Sequence, residues 1–193
     1  TPEVSKIVGE TVLPTYVYSR VYKNGSDLKR HIDKDECEIS LTLNLCADRP
    51  WKIWIETPRG EKRSVMLAPG DAMFYHGCNA PHWRDNYTGT YYTQAFLHYV
   101  YSRGERVNSY FDKNRPGVNN FEQKAPKLLV EPGRGESMIS DYIMVIKGLV
   151  PEDLCDDIIK EFPEDSVYWE PSSVGTGDVR EDIRSCNTIG LSK

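Results

Sequence analysis

His31-Ile32-Asp33 sets an imidazole and a carboxylate two positions apart, shortly after an Asn24-Gly25 turn. In an extended strand, residues i and i+2 point to the same side, so both groups can converge on one ion. The chain has four histidines, at 31, 76, 82 and 98. Two of them are candidates for a third ligand. His82 lies in Ala80-Pro81-His82-Trp83-Arg84, and His76 precedes a glycine turn in His76-Gly77-Cys78. His82 is preferred: it follows a Pro69-Gly70-Asp71 turn and an aromatic strand, and Arg84 shares its parity. Two imidazoles and one carboxylate on one face of an ion leave the opposite face open for a cosubstrate and O2, the donor set of non-haem Fe(II) oxygenases. An H-x-D pair alone is also an ordinary surface pair. His98, within Phe96-Leu97-His98-Tyr99, reads as a hydrogen-bonded core or rim histidine.

Such ligands need strands to hold them. Residues 12 to about 101 are rich in Tyr, Trp, Thr, Val and Ile and punctuated by Asn-Gly, Pro-Arg-Gly, Pro-Gly-Asp and Thr-Gly. This predicts strands near 12–23, 28–33, 38–46, 51–57, 63–68, 72–76, 80–84 and 90–101. Segment 38–46 alternates strictly, with Glu38, Ser40, Thr42 and Asn44 on one face and Ile39, Leu41, Leu43 and Leu45 on the other. Its polar face either meets solvent or lines a pocket while the apolar face packs outward. Residues 102 to about 137 read as an irregular connection. Tyr142 to Ile146 then form a short apolar strand. A helix follows near 151–162, opened by Pro151 and first-turn acids, with Leu154, Ile158, Ile159 and Phe162 on one face.

Composition narrows the partners. At 193 residues, 39% hydrophobic and 27% charged, the chain reads as globular. A net charge of −5 gives no basic footprint for nucleic acid or an anionic membrane. No apolar run reaches the length of a membrane span, and the opening Thr1-Pro2-Glu3-Val4 lacks a secretory pattern. Five scattered cysteines (37, 46, 78, 155, 186) form no C-x-x-C pair, which fits reduced thiols and a cytoplasmic setting.

Taken together, Leu28 to Asp33, Glu38 to Leu45, Pro69 to Tyr75, His82-Trp83-Arg84 and Gln94 to Tyr99 resemble the prolyl 4-hydroxylase-like branch of the Fe(II)/2-oxoglutarate dioxygenases. The likeness is greatest to bacterial and phage members whose distal motif reads His-Trp-Arg. The resemblance covers about residues 1–115. It implies a mainly β fold, a double-stranded β-helix (jelly roll, cupin-like) with a few flanking helices. It implies Fe(II) on His31, Asp33 and His82, with 2-oxoglutarate and O2 consumed, succinate and CO2 released, and ascorbate as an optional reductant. Relatives hold the far carboxylate of 2-oxoglutarate with an Arg or Lys beyond the distal His, but here that stretch reads Gly89-Thr90-Tyr91-Tyr92-Thr93. Arg84 is therefore the expected anchor, with Lys52 in reserve and Asn44, Tyr75, Tyr91 and Gln94 adding hydrogen bonds. A rim salt bridge is the alternative role for Arg84.

Ser140 to Cys155 resembles the opening of another module of the same family, with no later H-x-D before Lys193. The expected organisation is a dioxygenase domain over 1–115 lacking its N-terminal helices, a linker over 116–137, and the incomplete start of a second similar module over 138–193, the chain being cut from a longer protein. The tail helix is expected to dock through Leu154, Ile158 and Phe162, within the chain or exchanged in a homodimer. The substrate, a peptide or a small molecule, is not legible. A non-catalytic jelly-roll binding or scaffold module is the rival reading.

Overall fold

In the computed structural model, which describes residues 1–112, 142–161, 170–171 and 186–190, the alternating segment forms β3 (Ile39–Ala47). Before it come helix α1 (Pro2–Val8), β1 (Val12–Lys23) and β2 (Leu28–His31). After it come β4 (Ile53–Glu56), β5 (Lys62–Val65), β6 (Ala72–Tyr75), β7 (His82–Arg84) and β8 (Tyr91–Tyr101). The later elements are β9 (Ile143–Ile146), α2 (Glu152–Glu161), β10 (Glu170–Pro171) and β11 (Cys186–Gly190). The eight strands expected between 12 and 101 are all present, with ends shifted by a few residues.

A seven-stranded sheet runs β10-β11-β1-β8-β3-β6-β9, and a four-stranded sheet runs β2-β7-β4-β5. Every pairing is antiparallel. The chain crosses repeatedly between the sheets, so β1, β3, β6 and β8 lie in the larger and β2, β4, β5 and β7 in the smaller. This is the winding of a jelly roll, the mainly β double-stranded β-helix expected.

The two faces of β3 organise the molecule. Ile39, Leu41, Leu43 and Leu45 face outward and form a core with Val4 and Val8 of α1, Phe74 of β6, Ala95 and Tyr99 of β8, and Cys155 of α2. Each fully buried aliphatic side chain there stabilises by about 1.5–3 kcal/mol. Ser40, Thr42 and Asn44 therefore point into the barrel, where all three are buried. Inward residues stack in register rows across the large sheet: Tyr75, Ser40 and His98, then Met73, Thr42, Phe96 and Tyr18, then Asn44, Gln94 and Arg20. An aromatic cluster of Tyr22, Trp51, Tyr87, Tyr92 and Phe96 fills the end beyond those rows.

α1 goes unannounced by the periodicity, because seven residues are too few to show a period. Pro2 opens it and Gly9 closes it with φ 81°. Among the described residues, no helix is long and apolar enough to cross a membrane.

The tail docks within the chain. β9 extends the large sheet beside β6, and Val150 donates its N–H to Gly70 O (3.1 Å). Gly70 is required there: its φ is 82°, and a Cβ would stand 2.2 Å from Val150 O. Asp71 clasps the same segment through Lys147 (2.6 Å) and the Gly148 N–H (2.9 Å). α2 presents Cys155, Ile158 and Ile159 to the outer core. The expected stripe holds at Ile158 and Ile159 and needs correction at Leu154, which is 49% exposed: Cys155, three and four residues before them, takes the inward place. Phe162 lies outside the described residues. Ending the chain at Lys127 should uncover this surface and lower the thermal midpoint by roughly 10 °C. An unchanged midpoint in a melting experiment would rule out a stabilising role for the docked tail.

Candidate metal centre

His31 is the last residue of β2, and it pairs directly with His82, the first of β7. Both imidazoles point into the barrel, with ring centroids 4.3 Å apart. Asp33 lies just beyond the strand end rather than inside the strand expected to 33. Its N–H donates to Gly77 O (2.9 Å), which turns its carboxylate back toward the two rings. One donor atom from each of His31, Asp33 and His82 lies within 4.8 Å of the others.

The local hydrogen bonds settle which atoms face the centre. His31 Nδ1–H donates to Lys29 O (2.7 Å) and His82 Nδ1–H donates to Ala80 O (2.9 Å). A carbonyl can only accept, so each ring carries its proton on Nδ1 and presents a bare Nε2. These Nε2 atoms stand 3.5 and 3.6 Å from Asp33 Oδ1, beyond ordinary hydrogen-bond length. Donors about 2.1 Å from one ion are themselves ~3–3.5 Å apart, so the three atoms suit a shared cation. Side-chain exposure falls from 33% at His31 through 16% at Asp33 to 3% at His82. The centre is thus closed toward the barrel and open at the His31 side.

Electrostatics fit the same role. Burial opposes the Asp33 charge, but the surrounding His31, His82 and His98 rings outweigh it and hold the carboxyl well below its usual range. Burial pushes the His82 imidazole down, against the pull of Asp33. The site is therefore an ionised carboxylate beside a neutral imidazole, the protonation states that metal ligation needs.

Ser40 supports Asp33. Its hydroxyl donates to Asp33 Oδ2 (3.2 Å), so His98 Nδ1–H must donate to Ser40 Oγ (3.0 Å). His98 is a buried hydrogen-bonded histidine, as expected, and burial lowers its pKa to about 4. Gly77 permits the approach: a Cβ there would stand 2.5 Å from Asp33 Oδ2 and 2.7 Å from Ser40 Oγ. His76, the alternative ligand, packs instead against Tyr142 and Tyr101.

Tyr75 meets the cluster edge-on, 5.0 Å from the His82 ring, and burial raises its phenol pKa. Arg84 lies two residues further along β7 and is 3% exposed. Its guanidinium is sandwiched by Trp51 (4.5 Å) and Tyr92 (4.9 Å), and Nη1 donates to Trp51 O (2.7 Å). Nη2 is buried without a partner. Asn44 donates to Leu67 O and Gln94 to Thr42 Oγ1, leaving Asn44 Oδ1 and Gln94 Oε1 buried and unpartnered. Tyr91 is not brought to this group. It is 38% exposed opposite Lys23, and its parity on β8 is that of Ala95 and Tyr99 rather than Gln94. Lys52 is exposed and stands over Trp54, which stacks on Trp83 outside the barrel. Sequence reasoning missed Gly77, and it gave Ser40 only a place on the polar face of β3, without its role beside Asp33.

No family model matches this sequence, and no curated protein does. Its structural neighbours are cupin-fold proteins. They include a mutant of Bacillus subtilis oxalate decarboxylase, at 14% identity over 49% of this chain and 23% of that one, with a TM-score of 0.34. A cupin domain from Bordetella pertussis Tohama I matches at 13% identity over 47% of this chain and 95% of its own, with a TM-score of 0.33. The nickel complex of the non-heme monooxygenase ThoJ matches at 17% identity over 52% of this chain and 49% of that one, with a TM-score of 0.40. The chain spans about a quarter of the oxalate decarboxylase chain it matches.

Proposed function

We propose that this chain is an Fe(II)- and 2-oxoglutarate-dependent dioxygenase that hydroxylates a substrate at the open end of its barrel. The observation that carries the reading is the convergence of His31 Nε2, His82 Nε2 and Asp33 Oδ1, with both Nδ1 atoms tied to carbonyls. Bound there, Fe(II) with 2-oxoglutarate and O2 supplies the oxidising power, releasing succinate and CO2. His31, Asp33 and His82 would hold the metal on one face only. Ser40 keeps Asp33 aimed, and Tyr75 walls the His82 side against water.

The Arg84 guanidinium supports the cosubstrate, because Trp51 O takes Nη1 and leaves Nη2 buried without a partner. A buried Arg with no carboxylate partner is costly, and among the described residues no ion pair to Arg84 is formed. A carboxylate on Nη2 removes that cost. Arg84 lies about 7 Å along the strand from His82, a span that suits a five-carbon dicarboxylate with one end at the metal. Asn44 and Gln94 orient its chain.

Three outcomes test this. Asp33→Ala should weaken Fe(II) binding at least 100-fold in anaerobic calorimetry, with the circular dichroism spectrum unchanged; equal binding by the variant would remove the triad. Gly77→Ala should also weaken the metal site by at least tenfold, because its methyl group meets Cys37 O, Asp33 Oδ2 and Ser40 Oγ at once and must push the Asp33 surroundings apart; unaltered affinity would show that this close approach does not hold Asp33. Arg84→Ala should raise the 2-oxoglutarate concentration for half-maximal succinate release at least tenfold while Fe(II) affinity stays put. Unaltered cosubstrate dependence would move the carboxylate elsewhere.

A further inference from the structure

Tyr16 and Cys37 meet beside the proposed metal centre, and neither takes part in the ligand set. Tyr16 Oη lies 3.0 Å from Cys37 Sγ. The contact is built from both sides. β1 breaks register between Pro14 and Val17, the kind of bulge that re-aims a side chain. Thr15 Oγ1–H then donates to Glu36 O (2.7 Å), tying that bulge to the 3-10 turn Asp35–Cys37. The Tyr16 ring packs on His98 at 4.6 Å, and Lys34 Nζ stands 4.5 Å from its centroid. Cys37 is buried, so its thiol has no route to a second protein.

Ser40 links the turn that carries Cys37 to the Asp33 ligand. Ser40 Oγ lies 3.2 Å from Asp33 Oδ2 and 3.3 Å from Cys37 O. A phenol carbon ortho to the oxygen is its reactive position, and it adjoins the carbon that bears the Oη in contact with Sγ. An ortho thioether also holds its sulfur beside the phenol oxygen, so Sγ needs to swing around Oη, not travel to it, to reach Cε.

We infer that Tyr16 and Cys37 are joined by a thioether between Sγ and a ring Cε, formed when the Fe(II)-loaded chain meets O2. This rests on the Fe(II) reading of His31, Asp33 and His82. The Sγ–H and Cε–H bonds break and the Sγ–Cε bond forms. The two protons and two electrons released reduce one O2 to hydrogen peroxide. The product ties β1 covalently to the turn that follows Asp33 and leaves the metal ligands untouched.

The test uses the full chain, expressed without added iron, loaded with Fe(II) anaerobically with binding followed by calorimetry, then exposed to air. After denaturation, alkylation and trypsin, the peptides 7–20 and 35–52 should appear as one species lighter by two hydrogens than their sum. Cys46 in that species is alkylated and Cys37 is not. The link should be absent from an anaerobic sample, from Cys37→Ser and from Asp33→Ala, which cannot hold the metal. Separate peptides with Cys37 alkylated, in a sample that has bound iron and seen O2, overturn the thioether and leave the metal site standing. A link formed equally in Asp33→Ala overturns its dependence on the centre. Failure to bind iron at all overturns both readings.

Discussion

Register on β3 is the constraint from which the rest follows. A shift of one residue would turn Ile39, Leu41, Leu43 and Leu45 into the barrel and Ser40, Thr42 and Asn44 out under the helices. The outer core with α1 and α2 forbids that, so a polar ladder is forced inside. Its cost is met largely within the ladder, where His98 binds Ser40, Gln94 binds Thr42 and Asn44 binds Leu67 O. Of the buried side-chain atoms left over among the described residues, Asn44 Oδ1, Gln94 Oε1, His98 Nε2 and Arg84 Nη2 belong to inward positions of the barrel strands, and Ser102 Oγ lies beyond the end of β8. Buried polar groups are rarely left so, and a barrel holding four of them is built to receive something polar.

Charge is arranged on the same plan. Asp33 stays ionised although burial works against it, because imidazoles flank it and Ser40 donates to it. Arg84 stays buried because two aromatic faces take the place of water around its guanidinium. The negative and positive centres belong to opposite ends of the small sheet, joined by β7, which carries both His82 and Arg84. Three residues of one short strand thus set the spacing between the proposed metal ligands and the Arg84 guanidinium.

Much of this was legible in the sequence because it is local. The period of two along 38–46, the turns at Asn24-Gly25 and Pro69-Gly70-Asp71, and the H-x-D and His-Trp-Arg motifs each depend on residues close in the chain. Contacts made only by folding were not legible. Nothing near Gly77 announces that a Cβ there would strike Asp33, and nothing near Tyr16 points to Cys37. Grouping Tyr91 with Gln94 ignored parity, which β8 enforces. On α2 the sequence places Ile158 and Ile159 on the inner face but sets Leu154 there in place of Cys155, because both are apolar and only the docking partner selects between them.

The central claim is that one ion and one dicarboxylate meet between His31, Asp33, His82 and Arg84. Visible absorption tests it most directly, since 2-oxoglutarate chelating Fe(II) produces a charge-transfer band that neither partner has alone. Adding 2-oxoglutarate to the Fe(II)-loaded chain without oxygen should raise that band at a stoichiometry of one, with none in Asp33→Ala. Iron bound with no band at saturating 2-oxoglutarate would contradict the account and leave a metal site with a different partner.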